Sequence, residues 1–342
     1  MTGRITVIAE AGVNHNGDLS RALNMVAAAA DAGADYVKFQ AFIADQLVAA
    51  GAPTAVYQSV NTGKTDQVSL LRGLEIDRDG FVAIAEACRK HGIGFMATAF
   101  DTDQVTALID LGMDQIKVAS GELTNGPALK GFAVLRLPIL LSTGMATLDE
   151  VGRAVDLLRG SGANAITLLH CTSLYPAPAE ALNLRAMVTM ADRFALPVGY
   201  SDHSLGLHAS IAAAALGAGV IEKHFTLDRT LEGPDHAASL EPDELAMLIA
   251  MLRDVPPMLG DGVKAPAAGE ADTAAVARRS WHAVRDLPVG HILKESDVVL
   301  KRPAGGIEGW ESPAGSRLAR PISADAPVTP VDLADPVKQA VV

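Results

Sequence analysis

Short, almost continuous apolar runs alternate with amphipathic helical patterns through the first three quarters of the chain. The eight runs that we expect to form strands are 5–12, 34–42, 93–100, 114–122, 137–144, 165–173, 196–204 and 219–226. Strands that are apolar on both faces are typical of parallel sheets covered by helices. Eight strand–helix units in about 250 residues predict a (β/α)8 barrel. An open doubly wound sheet is the rival, but no glycine-rich dinucleotide fingerprint follows the first strand.

The composition changes after the last helix predicted for the barrel. The stretch DVPPMLGDGVKAPAAGEADTAA is rich in Pro, Gly and Ala, as linkers are. Beyond it, short strands and turns are predicted, and RDLPVGHILKESDVV (285–299) weakly resembles RPISADAPVTPVDLA (320–334). We therefore expect a barrel domain over 1–254, a linker over 255–277 and a small, mostly β domain over 278–342. Residues 53–72 are predicted to form a long loop, of the kind that often serves as a lid.

The charge and the cysteines narrow the class of partner and the compartment. The chain has 40 acidic and 28 basic residues, and its net charge of −12 disfavours nucleic acid and anionic membranes as partners. Two cysteines are too few for a disulfide framework and favour the reducing cytoplasm. Neither a signal peptide nor a membrane span is predicted. We therefore expect a cytoplasmic protein in which an anionic substrate needs a local basic pocket.

Polar residues cluster where the predicted strands end, which is where barrel enzymes carry their active sites. These strand-end residues include Glu10, Lys38, Gln40, Thr98, Lys117, Ser120, Glu122, Ser142, Ser201, His203, Glu222 and His224. One buried polar group can be structural. Because burial of unpaired charge is costly, their convergence at one end of the barrel indicates a functional site.

Two histidines end adjacent strands. His203 and His224, with Asp202 and Glu222 nearby in the sequence, are suited to hold a divalent metal that keeps open positions for water or substrate. The alternative is that each imidazole satisfies a hydrogen bond in the core.

Two lysines lie within apolar strands. Lys38 and Lys117 are expected to point inward and to form a pocket for phosphate or carboxylate. One alternative is that a lysine forms a structural ion pair with Glu10 or Glu122. Another is that Lys117 forms a Schiff base, as in class I aldolases.

In these segments the chain resembles the sialic acid synthase family, which comprises N-acetylneuraminate synthase and its relatives. The matching segments are IAEAGVNHNG, ADYVKFQ, MATAF, IKVASGE, LSTGM, LLHCTSLYP, GYSDHS, IEKHFTLDRTLEGPDHAASLEP and LKRPAGG. The resemblance implies a barrel followed by a small domain similar to type III antifreeze proteins. It also implies condensation of phosphoenolpyruvate with an N-acyl mannosamine-type sugar and water, release of phosphate, and a need for Mn²⁺ or Mg²⁺.

The same resemblance implies roles for individual residues. The implied metal ligands are His203 and His224, and Glu10 handles protons on water. The implied phosphoenolpyruvate pocket consists of Lys38, Thr98, Lys117, Ser120, Ser142 and Ser201. Asn61, in a loop that matches the family poorly, is the candidate for a further phosphate contact. The implied sugar contacts are Gln40, Glu122, Tyr175 and Asp235. Arg302 is implied to reach the N-acyl group from the partner subunit of a homodimer.

The resemblance leaves the sugar open. The nearest alternative is a legionaminic or pseudaminic acid synthase that uses a 2,4-diacetamido-trideoxyhexose, and HAASLEP favours the neuraminate and legionaminate branches. More distant alternatives are the class I aldolase and a non-catalytic sugar-binding or assembly protein.

Overall fold

Eight parallel strands close into a barrel in the order in which they occur in the chain. In the computed structural model, which describes residues 3–334, each strand lies within one of the eight predicted runs. The strands are β1 (Thr6–Gly12), β2 (Tyr36–Ala41), β3 (Gly94–Ala99), β4 (Ile116–Val118), β5 (Ile139–Ser142), β6 (Ile166–Cys171), β7 (Val198–Asp202) and β8 (Val220–His224). The predicted barrel is therefore confirmed.

Helices follow the strands, and several of them begin at a side-chain cap. They are α1 (Leu19–Asp31), α2 (Ala44–Leu47), α3 (Val56–Thr62), α4 (Gln67–Arg72), α5 (Arg78–His91), α6 (Thr102–Asp110), α7 (Gly126–Val134), α8 (Leu148–Gly160), α9 (Arg185–Phe194), α10 (His208–Ala215) and α11 (Pro242–Leu259). A capping box between Thr147 and Glu150 starts α8, and Gly92 with a φ of 69° ends α5. Within residues 3–334, no helix is both long and apolar enough to cross a membrane.

Strand alternation divides the barrel core into two layers. Val7 and Ala9 of β1 belong to the large cluster that packs against the helices, whereas Ile8 belongs to a separate buried cluster with Met96, Leu140 and Leu169. Because side chains two residues apart share a face, the strand positions that follow this inner cluster also face the barrel interior. That geometry directs the polar strand ends towards one another.

A second compact unit begins after Asp261. It contains α12 (Glu270–Ala277) and the antiparallel pair β9 (Ser280–Ala283) and β10 (Val298–Lys301). Its small core consists of Ala283, Leu287, Leu293, Val298, Leu318, Ile322, Val328 and Leu333. Residues 335–342 of the domain expected from the sequence lie outside the described residues.

The internal repeat of the second unit is visible in its contacts. Leu287 and Ile322, which are equivalent in the two halves, pair with each other in an antiparallel bridge. Asp297 accepts a hydrogen bond from the Lys294 amide and pairs with Arg285 at 2.7 Å. Asp332 makes the same two kinds of contact, with the Thr329 amide and with Arg320. Each half therefore ends on an aspartate that ties a turn to an arginine.

Two segments are more helical than their composition predicts. The predicted loop 53–72 contains α3 and α4, so the expectation of a structureless loop is wrong. The Asp66 carboxylate caps α4 at the Ser69 amide, and Val68 and Leu70 are buried, so a cap and two apolar side chains stabilise a helix of six residues. The expected linker, 255–277, likewise contains the end of α11 and all of α12.

Candidate active site

The strand register sets the predicted site residues at one height around the barrel. Glu10 pairs with Lys38 of β2 on one side and with His224 of β8 on the other. Gln40 pairs with Thr98, Thr98 with Lys117, and Ser201 with Glu222. These side chains therefore converge without any contribution from loop conformation.

Two lysines and two glutamates form a buried ion-pair cluster at this height. Lys38 Nζ lies 2.7 Å from Glu10 Oε2 and 3.7 Å from Glu222 Oε2, and Lys117 Nζ lies 3.6 Å from Glu222 Oε1. All four side chains are at most 5% exposed. Thr98 accepts a hydrogen bond from Lys38. Glu222 therefore joins the two lysines, a role that its strand-end position alone did not reveal.

The two glutamates of the cluster differ in acidity. Burial raises the pKa of Glu10 to about 7, although Lys38 opposes the shift. Burial also acts to raise the pKa of Glu222, but Lys117 and Lys38 outweigh it and hold this pKa low, with help from the Ser201 hydroxyl that donates at 2.8 Å. Glu222 is consequently a permanent counterion, whereas Glu10 gains and loses a proton near neutral pH.

The lysines also differ. Burial acts to lower the pKa of Lys38, yet Glu10 and Glu222 together raise it, so this ammonium stays charged. Burial lowers the pKa of Lys117, and Glu222 only partly offsets that effect. An added anion would stabilise the charged form of Lys117.

The His203 and His224 rings face each other with their centroids 5.3 Å apart. His203 Nδ1 lies 2.9 Å from the Thr172 carbonyl oxygen, which can only accept, so Nδ1 carries the proton and Nε2 keeps a lone pair. His224 Nδ1 is buried and has no hydrogen-bond partner among the described residues. Burial, followed by His203, holds the pKa of His224 well below its usual range. The His224 ring is therefore neutral, as a metal ligand must be. Burial acts to lower the pKa of His203, but Cys171 and the Thr172 carbonyl raise it, so a metal ion would have to displace a proton from His203 Nε2.

The histidine pair fits part of a metal coordination shell. Within residues 3–334, no three His, Cys, Asp or Glu side chains are arranged to hold a metal ion. A divalent cation between His203 and His224 would therefore complete its shell with oxygen atoms of water and substrate, the ligands that Mn²⁺ and Mg²⁺ favour.

Gly12 leaves space where three of these groups meet. A Cβ atom at this position would lie 3.3 Å from Glu10 Oε1, 3.5 Å from Gln40 Nε2 and 3.5 Å from His224 Cε1. The φ of Gly12 is 54°, which side chains also disfavour. The absence of a side chain keeps this part of the site open.

Aromatic rings and a carboxylate form another wall of the site. The Tyr175 ring lies 4.1 Å from the His203 ring and 4.8 Å from the Tyr57 ring, measured between centroids. Asp235 is buried and its Oδ1 has no hydrogen-bond partner in the described part of the chain. Burial raises the pKa of Asp235 to about 6, although His203 opposes the shift. Asn61 donates a hydrogen bond to the carbonyl oxygen of Pro234 at 2.8 Å.

The remaining predicted site residues have more local contacts. Ser120 Oγ accepts a hydrogen bond from the Gly144 amide at 3.0 Å, and Ser142 is buried at the end of β5. Glu122 is half-buried and accepts from the Asn125 side chain at 2.6 Å. Arg302 is exposed and belongs to the second unit.

Asp202 does not face the histidines, contrary to its position in the sequence between Ser201 and His203. Its carboxylate lies 3.0 Å from Lys223 Nζ and accepts hydrogen bonds from Ser204 and Ser210. Asp202 is the register partner of Lys223, and strand alternation turns both side chains away from the barrel interior. This pair stabilises the strands that end at the histidines.

Comparison with known proteins identifies the family. The NeuB family model matches residues 25–264, and the SAF domain model matches residues 278–334. The chain belongs to the NeuB family. N,N'-diacetyllegionaminic acid synthase of Campylobacter jejuni is 47% identical over 88% of this chain and 91% of that protein. The enzyme of the same name from Legionella pneumophila is 45% identical over 93% of this chain and 91% of its own.

A solved structure extends the match to three dimensions. N-acetylneuraminic acid synthetase of Leptospira borgpetersenii, solved with citrate, superposes with a TM-score of 0.71 at 36% identity. The alignment covers 80% of this chain and 90% of that one. The resemblance to sialic acid synthases is therefore confirmed, as is the antifreeze-like second domain, and this NeuB-family chain is a synthase.

Proposed function

We propose that this NeuB-family enzyme condenses phosphoenolpyruvate with an N-acyl amino sugar and water, and releases phosphate. The observation that carries the proposal is the cluster of Lys38 and Lys117 with Glu10 and Glu222, which adjoins His224 in the strand register. The Lys38 ammonium, with the buried Lys117 that a bound anion would hold in its charged form, provides a local site for a small, highly charged anion in a protein of net charge −12. Phosphoenolpyruvate, with a carboxylate and a phosphate, has that character.

Glu10 is the proposed acceptor of the proton from the attacking water. Attack of phosphoenolpyruvate C3 on the sugar aldehyde leaves positive character at C2, which water then captures. A carboxylate with a pKa of about 7 is suited to accept a proton from that water at neutral pH. Loss of phosphate from the resulting adduct gives the 2-keto acid. Ser120 and Ser142 are the proposed neutral donors of the anion site, and Ser201, whose hydroxyl donates to Glu222 at 2.8 Å, would have to turn from that carboxylate to donate as well.

His203 and His224 are the proposed metal ligands. A bound Mn²⁺ or Mg²⁺ would act as a Lewis acid towards the aldehyde oxygen. The protein's own part is to hold the two rings: the Thr172 carbonyl fixes the tautomer of His203, and Tyr175 packs against its face.

The sugar is proposed to lie along Gln40, Tyr175 and Asp235. The buried carboxylate of Asp235, whose Oδ1 has no hydrogen-bond partner among the described residues, repels an anion but accepts hydrogen bonds from sugar hydroxyl or amide groups. We retain Glu122 as a further sugar contact and Asn61 as a phosphate contact, although the hydrogen bond of Asn61 joins it to Pro234, beside Asp235.

We infer that the product is N,N'-diacetyllegionaminic acid, made from a 2,4-diacetamido-trideoxyhexose. Identities of 47% and 45% to two enzymes of that name, each over about nine-tenths of both chains, support this choice. An N-acetylmannosamine substrate, with N-acetylneuraminate as the product, is the second candidate. We also retain the homodimer in which Arg302 reaches the partner's sugar. An exposed arginine outside the barrel unit is compatible with that role.

One observation favours the aldolase alternative. Burial lowers the pKa of Lys117, which is a property that a Schiff-base lysine needs. Reduction with borohydride in the presence of substrate distinguishes the two: we expect no mass increase at Lys117, and a trapped adduct would favour the aldolase.

The test of the proposed function is phosphate release from phosphoenolpyruvate with a panel of N-acyl hexoses. We expect turnover with the 2,4-diacetamido-trideoxyhexose, slower turnover with N-acetylmannosamine, and loss of both in EDTA with recovery in Mn²⁺. Faster turnover of N-acetylmannosamine would overturn the legionaminic assignment alone. Turnover of no 2-acetamido sugar would overturn the proposal as a whole.

A further inference from the structure

The segment that carries α3 is a flap with a fixed base. The Gln67 amide donates to the Ala52 carbonyl at 3.0 Å, and the Thr54 amide donates to the Thr65 carbonyl at 3.2 Å. These contacts bring the two ends of the segment together. Leu70 of the adjoining α4 is buried in a small apolar cluster with Val13, Phe42 and Leu74. The base is consequently held independently of the active site.

The tip of the flap reaches the site through two side chains. The Tyr57 ring stacks on the Tyr175 ring at an interplanar angle of 20°, and Asn61 donates to the Pro234 carbonyl. A neighbouring face of α3 is solvated, since Val56 is 80% exposed and Val60 is 77% exposed. Among the described residues, Tyr57 therefore supplies the aromatic contact between the flap and the barrel site.

Tyr175 is sandwiched between the flap and a proposed metal ligand. Its ring is 4.8 Å from Tyr57 on one side and 4.1 Å from His203 on the other, and it meets His224 edge-on at 6.0 Å. In the described part of the chain, no side-chain hydrogen bond holds Tyr175. Ring contacts set its position, so loss of the Tyr57 ring would free it.

The stack lies on the side of the site that suits a neutral substrate. After burial, which is the largest effect, the charge of Asp235 also raises the pKa values of Tyr57 and Tyr175. Glu10 also raises the pKa of Tyr175, so the stack reaches the edge of the anion site, but the ion pairs of Lys38 are with Glu10 and Glu222. The stack thus adjoins a carboxylate, and the anion site adjoins the lysines.

We propose that Tyr57 is a positioning residue that holds Tyr175 against His203 and thereby shapes the acyl-sugar side of the site. The inference rests on the proposed function, because the proposed function places the acyl sugar on the side of the site that Tyr175 lines. The ring of Tyr57 is what matters, since no hydrogen bond of its hydroxyl to the site is present among the described residues.

The kinetic test compares Tyr57→Ala with Tyr57→Phe, and uses Val60→Ala, a truncation on the solvated face of the same helix, as the matched control. We expect Tyr57→Ala to raise the KM for the acyl sugar about three- to tenfold, the range for loss of one aromatic pair. The KM for phosphoenolpyruvate should stay within about twofold, and Tyr57→Phe and Val60→Ala should resemble the wild type. Tyr57→Leu, which keeps most of the volume, carries the same expectation if the alanine variant does not fold.

A second readout needs no substrate. Hydrogen exchange of the α3 amides, measured by mass spectrometry, reports opening of the helix that carries Tyr57. We expect faster exchange in Tyr57→Ala than in Val60→Ala, with Tyr57→Phe unchanged. Equal exchange in all variants, or a sugar KM that Tyr57→Ala leaves unchanged, would overturn the role of Tyr57. Absence of phosphate release by the wild type would instead overturn the proposed function, and the exchange assay would still test the flap contact.

Discussion

Replacement of Glu10 by Gln tests the proposed proton chemistry directly. The amide preserves the size of the side chain and keeps an oxygen beside Lys38, but it cannot accept a proton near neutral pH. Glu222 still lies 3.7 Å from Lys38 Nζ and 3.6 Å from Lys117 Nζ, so neither lysine loses its last counterion. The change therefore removes the base and leaves the anion site in place.

The expected loss of kcat follows from the role of Glu10 as general base, and the expected pH dependence follows from its pKa. A positioned general base contributes about 10²- to 10⁴-fold, so the kcat of Glu10→Gln should fall by that factor. The KM for phosphoenolpyruvate should stay the same or decrease, because one negative charge leaves the pocket. In the wild type, burial raises the pKa of Glu10 to about 7, and the ionised form is the active one. Its kcat/KM should therefore fall about tenfold per pH unit below pH 7 and level off above it.

The assay is phosphate release at saturating sugar from about pH 5.5 to 9, with thermal unfolding of each variant as a check on folding. The acid limb should be present in the wild type and absent from the residual activity of Glu10→Gln. Glu222→Gln is the contrasting variant, since it removes the counterion that two buried lysines share. It should lose roughly 3–5 kcal/mol of stability. Wild-type turnover in Glu10→Gln, or an unchanged acid limb, would refute the assignment of the base.

Two further substitutions test the supports of the site. Lys223→Met leaves buried Asp202 without its counterion at 3.0 Å, and we expect a loss of about 3–5 kcal/mol in urea unfolding; a loss below about 1 kcal/mol would contradict the buried pair. Gly12→Ala places a methyl group 3.3 Å from Glu10 Oε1 at a φ of 54°, so kcat/KM should fall at least about tenfold. Calorimetric titration with Mn²⁺ and substrate would show whether binding weakens too, and wild-type kinetics would indicate that the space is not used.

The barrel and the height of its site could be predicted because both depend on local pattern. Apolar runs locate the strands, and alternation with a period of two directs Glu10, Lys38 and Lys117 inward once Ile8 and its equivalents are in the core. The active end of a barrel is the same in each member of the fold. Long-range structure added the register that places these residues at one height.

The sequence pattern could not reveal contacts that depend on which other strand or loop packs against a given segment. Asp202 and Glu222 each lie within two residues of a histidine in the sequence, yet only Glu222 faces the lysines, because the register of β7 with β8 decides the face. Tyr57 lies in a segment whose composition indicates a loop, and its contact with Tyr175 spans four strands of the barrel in sequence. A short helix stabilised by one cap and tertiary packing has a weak local signal.

The ion-pair cluster also predicts that Glu10 becomes a stronger base, with a higher pKa, once the anionic substrate binds. In the free enzyme, Lys38 is the largest influence that holds the pKa of Glu10 down against burial. An anion bound between the lysines would share Lys38 with Glu10 and add negative charge beside it, and both effects raise the pKa of Glu10. The acid limb of kcat, which reports the bound complex, should therefore lie at higher pH than the limb of kcat/KM, which reports the free enzyme. Because Glu222 stays ionised and remains beside both lysines, the substrate can alter the proton affinity of Glu10 without removing the counterion of the site that binds it.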